Sequence, residues 1–500
     1  MRIPWVAAAI ALSFPVASSM SCSSKGEPAA GDAGDDAEIP TPPQWDAPVT
    51  RPDDATANAG RAACMYTRGA MPAATLGTST PVDTDIPIDT VVVIMMENHS
   101  FDSYFGHLGK FANNPNIESA PDNATNLDTS GKPQPYTHAP HFCTLDTNHE
   151  WAGTHEEIDG GKMDGFAKAN DGWNANALPK SADGGVDPTL ISGARSMYWF
   201  DERDLPFYYA LGSTFAIGDH YFASVPGPTL PNRLFLYAAT SFGTTVTNTL
   251  PDVSMFPAFP DYDLVILDEL TKRHTSWMLY ADGLSPAAAV FPGTLQTRWG
   301  RPVFAQYADF QQAAAAGTLP QVSFLDPNLS NETGSGEDEH PPGDVQTGQK
   351  FVAGAMKAIL ASPQWPHMAV FFTYDEHGGY YDHVAPPKAC APDSIAPILL
   401  NGDTTPGGFD LYGVRVPFVV VSPYAKKGYV GHHVYDHTSV LRFIEAKFKV
   451  PALTMRDANA EPPTDLFDFT TPALLTPPSF QDPSVDPAGL QFCEQTYGSM

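Results

Sequence analysis

The chain has 500 residues, 42% of them hydrophobic and including eight Trp and 29 Phe, enough to bury a substantial core in one large domain or in two or three average ones. Its formal charge of −30 and pI near 4.6 repel a polyphosphate backbone, which excludes a protein that coats nucleic acid. The same field disfavours strongly anionic lipid surfaces, but acidity by itself identifies no substrate.

Arg2 followed by the apolar stretch Ile3 to Val16 predicts an export signal, too short to span a bilayer comfortably. Ser19-Met20-Ser21-Cys22 is similar to a bacterial lipoprotein box with Ser in place of the usual first Leu. Residues 1–22 are therefore read as a signal peptide that ends either in lipidation of Cys22 or in ordinary cleavage near Ser18 to Ser21. Export would place the protein in the periplasm, on the cell surface or outside the cell. A lipid on Cys22 would be its one tie to a membrane. Residues 23–60, rich in Ala, Gly, Asp and Pro with acids at Asp32, Asp35, Asp36 and Glu38, predict a flexible spacer. From residue 61 to 500 strand-like and helix-like runs alternate, which predicts one catalytic domain of α/β class with a central, mostly parallel sheet flanked by helices.

The first strand is Val91 to Met96, apolar throughout and so expected to be buried on both faces. It runs into Glu97-Asn98-His99-Ser100-Phe101-Asp102, which places a carboxylate and an amide at the strand's C-terminal end, where open α/β sheets hold ligands. Side by side they have the look of oxygen donors for a cation. His149 follows in Asn148-His149-Glu150-Trp151. The stretch Ser224 to Arg233 contains three prolines, a stiff loop that can either be a tight connection or mount the Thr229 hydroxyl as a nucleophile. Arg233 could clamp a phosphoryl oxygen or simply pair with an acid.

Further on, 263–272, 348–360 and 439–448 have helical spacing, and 275–280, 321–325, 368–374 and 414–422 read as strands. His340 lies in Glu339-His340-Pro341-Pro342. The strand from Met368 to Tyr374 meets a second polar cluster, Asp375-Glu376-His377-Gly378-Gly379, then Asp382-His383. Adjacent carboxylates at a buried strand end repel unless a cation or a proton relieves them. His437 precedes the last of these helices, and a Pro-rich tail begins at Pro451. Cys64, Cys143, Cys390 and Cys493 are an even set in an exported chain, which predicts one or two disulfides of open pairing and lacks the spacing of a zinc knuckle.

Taken in order, Glu97–Gly106, His149–Phe166, Val225–Arg233, His340–Gly348, Asp375–Val384 and Gly413–Glu445 resemble the bacterial phosphoesterase family that includes phosphatidylcholine-type phospholipases C and related acid phosphatases, within the wider alkaline-phosphatase-like fold. That resemblance implies one divalent metal ion held by Glu97, Asn98, Asp375 and Glu376, with Thr229 both touching it and acting as the nucleophile. It implies catalytic roles for His149 and His340, and supporting or substrate-binding roles for Arg233, His383 and His437. Oxygen ligands favour a hard ion such as Ca²⁺, Mg²⁺ or Mn²⁺, with Zn²⁺ as a further choice. A nucleophilic Thr rather than Ser points to the phospholipase C branch, so the expected partner is a phosphate ester, including a phospholipid. Nonspecific acid phosphatase is the alternative, and an inactive metal-binding lipoprotein a distant third.

Overall fold

A computed structural model describes residues 41–178, 186–247, 265–283, 285, 303–329, 333–400 and 402–498. The signal peptide, Cys22 and the first part of the expected spacer lie outside the described residues.

Eight strands form the central sheet: β1 (Thr90–Met96), β2 (Ala216–Gly218), β3 (Trp277–Ala281), β4 (Phe304–Gln306), β5 (Val322–Asp326), β6 (Met368–Tyr374), β7 (Phe418–Val421) and β8 (Val430–Gly431). Their spatial order is β8-β2-β7-β6-β1-β5-β3-β4. Only β7 runs against the others. Every residue of β1, β5 and β6 is buried, as unbroken apolar runs require when both faces of a sheet are covered. The helices used below are α1 (Asp54–Ala62), α2 (Phe101–Phe105), α3 (Trp151–Ile158), α4 (Thr229–Ala238), α5 (Ile266–Lys272), α6 (Val345–Leu360), α7 (His437–Phe448) and α8 (Pro487–Tyr497). Among the described residues, no helix is long and apolar enough to cross a membrane.

The fold class is the one expected, and β1 and β6 occupy adjacent central positions. The short strands β2, β4 and β8, of two or three residues each, carry too little periodicity to be read from the chain.

The spacer expectation needs correction at its C-terminal end. Residues 43–46 form a 3₁₀ turn whose Trp45 is buried in the main core. Helix α1 begins behind Asp53, whose side chain accepts the Thr56 N–H at 2.8 Å. Averaging composition over 23–60 hid both the single large aromatic and the cap.

Two disulfides join distant segments: Cys64–Cys390 and Cys143–Cys493, across 326 and 350 residues of chain. The second fixes α8, in the Pro-rich tail, against the loop that leads to His149.

Candidate active site

The register of β1 and β6 builds the site. Met96 lies directly opposite Tyr374, so the residues that follow leave the sheet side by side. The Asp375 N–H donates to the Met96 carbonyl at 3.1 Å, and the Glu97 N–H donates to the Asp338 carbonyl at 3.0 Å. Segments around 97, 338 and 375 are thereby drawn to one edge. Gly378 turns over Asn98 with φ at 64°, and a Cβ there would stand 2.1 Å from the Asn98 carbonyl oxygen, so only glycine fits. The Thr147 hydroxyl donates to the Gly378 carbonyl, which brings the His149 loop against the same turn.

Helix α4 supplies the third wall. Its entry loop is stapled by Asn232, fully buried, which accepts the Val225 N–H at 3.0 Å and donates to the Gly227 and Pro228 carbonyls at 2.8 and 3.1 Å. Thr229 is the first residue of the helix and half-buried. One turn on, Arg233 places Nε 3.1 Å from both Glu97 Oε1 and Asp375 Oδ2, and Nη1 2.7 Å from Asp326 Oδ1. Residues four apart share a helix face, so Thr229 stands on the side of α4 that meets the acids.

Burial and the neighbouring Glu97 carboxylate push Asp375 well above the usual carboxylate range, and burial pushes Glu376 up to about 8. Arg233 is one cation among Glu97, Asp326, Asp375 and Glu376, all nearly or wholly buried. Two groups are left with open valences. Both polar atoms of the Asn98 side chain, and Glu376 Oε1, are buried without a hydrogen-bond partner. Orphaned oxygens beside surplus negative charge are what a hard divalent cation would satisfy, so the donor set fits the metal that the family resemblance implies.

His149 and His340 meet edge to face, ring centroids 5.4 Å apart. With Asp146 they form a group whose ligand atoms lie within 4.8 Å of one another. Each ring donates from Nδ1 to a backbone carbonyl, Thr147 at 2.9 Å and Pro341 at 2.7 Å, which fixes the tautomer and orientation of both. Burial lowers the His149 pKa, against the opposing pull of Glu376. His340 lies within electrostatic reach of Asp375 and Glu376 and favours the charged form of each.

The three supporting residues sit differently from a phosphate clamp. Arg233 is fully buried and spent on three carboxylates. His437 donates from Nε2 to the Asp375 carbonyl at 2.7 Å and faces the Tyr221 hydroxyl at 3.0 Å through Nδ1; it holds the Asp375 backbone in place. His383 turns away to Asp102, Nδ1 to Oδ2 at 2.7 Å, in a separate cluster with Asp382 and Arg415. The sequence reading missed Asp326, Asp146, Asn232 and the pair Glu157–His377. Asp326 ends β5 and follows the same strand-end logic as Glu97 and Asp375. Glu157, on the amphipathic α3, gave no signal.

The family described as "Phosphoesterase family" matches residues 88–451. Non-specific phospholipase C6 of Arabidopsis thaliana is 32% identical over 78% of this chain and 74% of that protein. Phospholipase C A of Mycobacterium tuberculosis is 31% identical over 79% of this chain and 80% of that one. The family match and these relatives bear out the phosphoesterase and phospholipase C resemblance read from the motifs. Among solved structures, a Vibrio parahaemolyticus protein of the alkaline phosphatase superfamily overlaps 52% of this chain and 63% of that one, with 11% identity and a TM-score of 0.31.

Proposed function

This chain belongs to the phosphoesterase family, and from that premise we propose that it is an exported, metal-dependent hydrolase of phosphate esters, of the phospholipase C type, that works through a covalent phosphothreonine at Thr229. One observation carries the reading: the ends of β1 and β6, joined by Arg233 of α4, carry buried oxygens that have no protein partner. Glu97, Asn98, Asp375, Glu376 and the Thr229 hydroxyl would hold the cation. A divalent cation supplies charge neutralisation at the phosphoryl oxygens and a lowered pKa for the attacking alcohol.

The protein groups divide the remaining work. Thr229 Oγ1 forms the bond to phosphorus as the bond to the leaving oxygen breaks. His340, in its charged form, gives its Nε2 proton to the departing alkoxide. His149, kept neutral by burial and with Nε2 bare, takes up the proton that Thr229 sheds. Water then attacks phosphorus from the side the alcohol left and gives a proton back to His340, the bond to Thr229 Oγ1 breaks, the phosphoryl product departs and His149 returns its proton to Thr229. Asn232 and His437 keep Thr229 and Asp375 from drifting, which is where most of the rate in phosphoryl transfer originates.

Two features support the phospholipase C branch: Thr in place of Ser at 229, and relatives named phospholipases C. Two long-range disulfides support export to an oxidising compartment. Assay of purified protein on a phosphocholine diester and on an aryl phosphate monoester, across pH, tests the branch. Preferential turnover of the diester is expected; strong preference for the monoester at acid pH would make the protein an acid phosphatase.

A further inference from the structure

Glu376 is held from behind. Its Oε2 accepts the Gly378 N–H at 2.7 Å and lies 3.2 Å from His377 Nδ1. The other ring nitrogen of His377, Nε2, is 2.7 Å from Glu157 Oε2. Glu157 in turn accepts from Asn170 Nδ2 at 2.9 Å through Oε1. Both His377 and Glu157 are buried, the former with the Phe166 ring edge-on to it. A carboxylate in such a place is expensive to keep out of water, and nothing in the sheet core needs it there. One of its oxygens holds one imidazole, the other is fixed by Asn170, and the imidazole faces one oxygen of Glu376.

The other oxygen of that carboxylate, Oε1, is the one left without a partner. Asp375 is similarly committed: Oδ1 accepts the Glu376 N–H at 2.7 Å and Oδ2 faces Arg233 at 3.1 Å. Neither member of the acidic pair has two idle oxygens to offer. Ca²⁺ takes six to eight oxygens and often grips a carboxylate by both, whereas smaller divalent ions accept single oxygens in octahedral array.

We propose that Glu157 and His377 are a positioning pair that fixes Glu376 as a one-oxygen ligand and thereby tunes the site to a small divalent cation, Mg²⁺ or Mn²⁺, over Ca²⁺. The inference rests on the metal reading given under the proposed function. Oxygen Oε2 is thus held from two sides, by the Gly378 N–H and by His377, and His377 is braced by Glu157 on α3, the helix that begins two residues after His149. Removing the brace leaves the Gly378 N–H as the remaining hold on Oε2 and loosens the ligand's aim. Outer partners of this kind alter metal affinity by about 10- to 100-fold.

The test is calorimetric titration of metal-stripped, full-length protein with Mn²⁺ and with Ca²⁺, alongside Glu157→Gln. Wild type should bind one Mn²⁺ more tightly than Ca²⁺. Glu157→Gln should weaken Mn²⁺ by about 10-fold or more and narrow its preference over Ca²⁺, with the thermal midpoint of the stripped protein little changed. Unchanged Mn²⁺ affinity and an unchanged Mn²⁺-to-Ca²⁺ ratio in the variant would overturn the positioning role, as would a wild type that prefers Ca²⁺. A wild type that binds neither ion would instead overturn the metal reading itself. Should Glu157→Gln fail to fold, His377→Gln interrogates the same brace from its other end, with the same expected and overturning results.

Discussion

Two acid-rich clusters arise from the same pair of sequence segments and end in opposite states. Glu97 and Asp375, followed directly by Asn98 and Glu376 respectively, flank Arg233; a few residues further along each segment, Asp102, Asp382 and His383 surround Arg415. Both arginines are buried and both sit between carboxylates from the ends of β1 and β6. In the second cluster every valence is spoken for. Asp102 Oδ1 meets Arg415 Nη2 at 3.0 Å, and its Oδ2 accepts from the backbone and ring of His383 at 2.8 and 2.7 Å. Asp382 accepts from Arg415 Nε at 2.9 Å and from the Val384 and Asp102 N–H groups. In the first cluster Asn98 and one oxygen of Glu376 have nothing to bind. Composition is therefore a poor guide to a ligand site; unspent hydrogen-bonding capacity separates a site from a structural staple.

The largest expected effect lies at the open cluster. Thr229→Ala should lower turnover on the order of 10⁴-fold or more while leaving the thermal midpoint near wild type. Activity within a factor of ten of wild type would remove Thr229 from the chemistry.

At the closed cluster the effect falls on the fold instead. Arg415→Met leaves two buried carboxylates without their countercharge and should cost about 3–5 kcal/mol in urea unfolding. Stability within about 1 kcal/mol of wild type would show that the staple is not one.

Asn98→Ala separates the two behaviours within a single residue. Removing a buried amide that has no partner should leave the stripped protein as stable as wild type or up to about 1–3 kcal/mol more so, while divalent-ion affinity falls. Differential scanning fluorimetry with and without Mn²⁺ reads both; a stripped variant that melts well below wild type would mean the amide has a structural partner.

The smallest effect concerns His383. Burial alone would lower its pKa, but the hydrogen bond to Asp102 and the nearby charge of Asp102 and Asp382 outweigh burial and the opposing Arg415, so the net shift is upward from 6.5. Glu118 faces its Nε2 at 3.4 Å. A folded-state pKa above the unfolded value adds stability that is complete below pH 6.5 and disappears as pH rises through the raised value. His383→Gln should flatten that decline between pH 6 and 9 in urea midpoints; parallel curves for wild type and variant would contradict it.

What could be read from the chain follows from the range of the forces involved. The runs 91–96 and 368–374 declare themselves because a strand covered on both faces must be apolar throughout, and the polar residues after each are then forced to the sheet's edge. Thr229 is legible because three prolines around a hydroxyl are unusual. The partners that decide what each polar residue does come from far away in sequence. Arg233 meets Asp326 across 93 residues, Arg415 meets Asp102 across 313, and His377 meets Glu157 across 220. No local pattern carries such pairings, so Arg233 looked as suited to a phosphate as to an acid, and His383 as suited to the reaction as to a staple.

The Cys143–Cys493 bond gives the order of synthesis a meaning. The loop bearing Asp146 and His149 is made well before the helix it is fastened to, Pro487–Tyr497, because the joined cysteines stand 350 residues apart. While the chain is still growing, hydrogen bonds from Arg195 and to Asn170 can hold the histidine loop, but it lacks its covalent tie until α8 has been made and oxidation joins the two sulfurs. Covalent closure of that loop therefore waits on a cysteine 350 residues further along the chain and on oxidation of the two thiols.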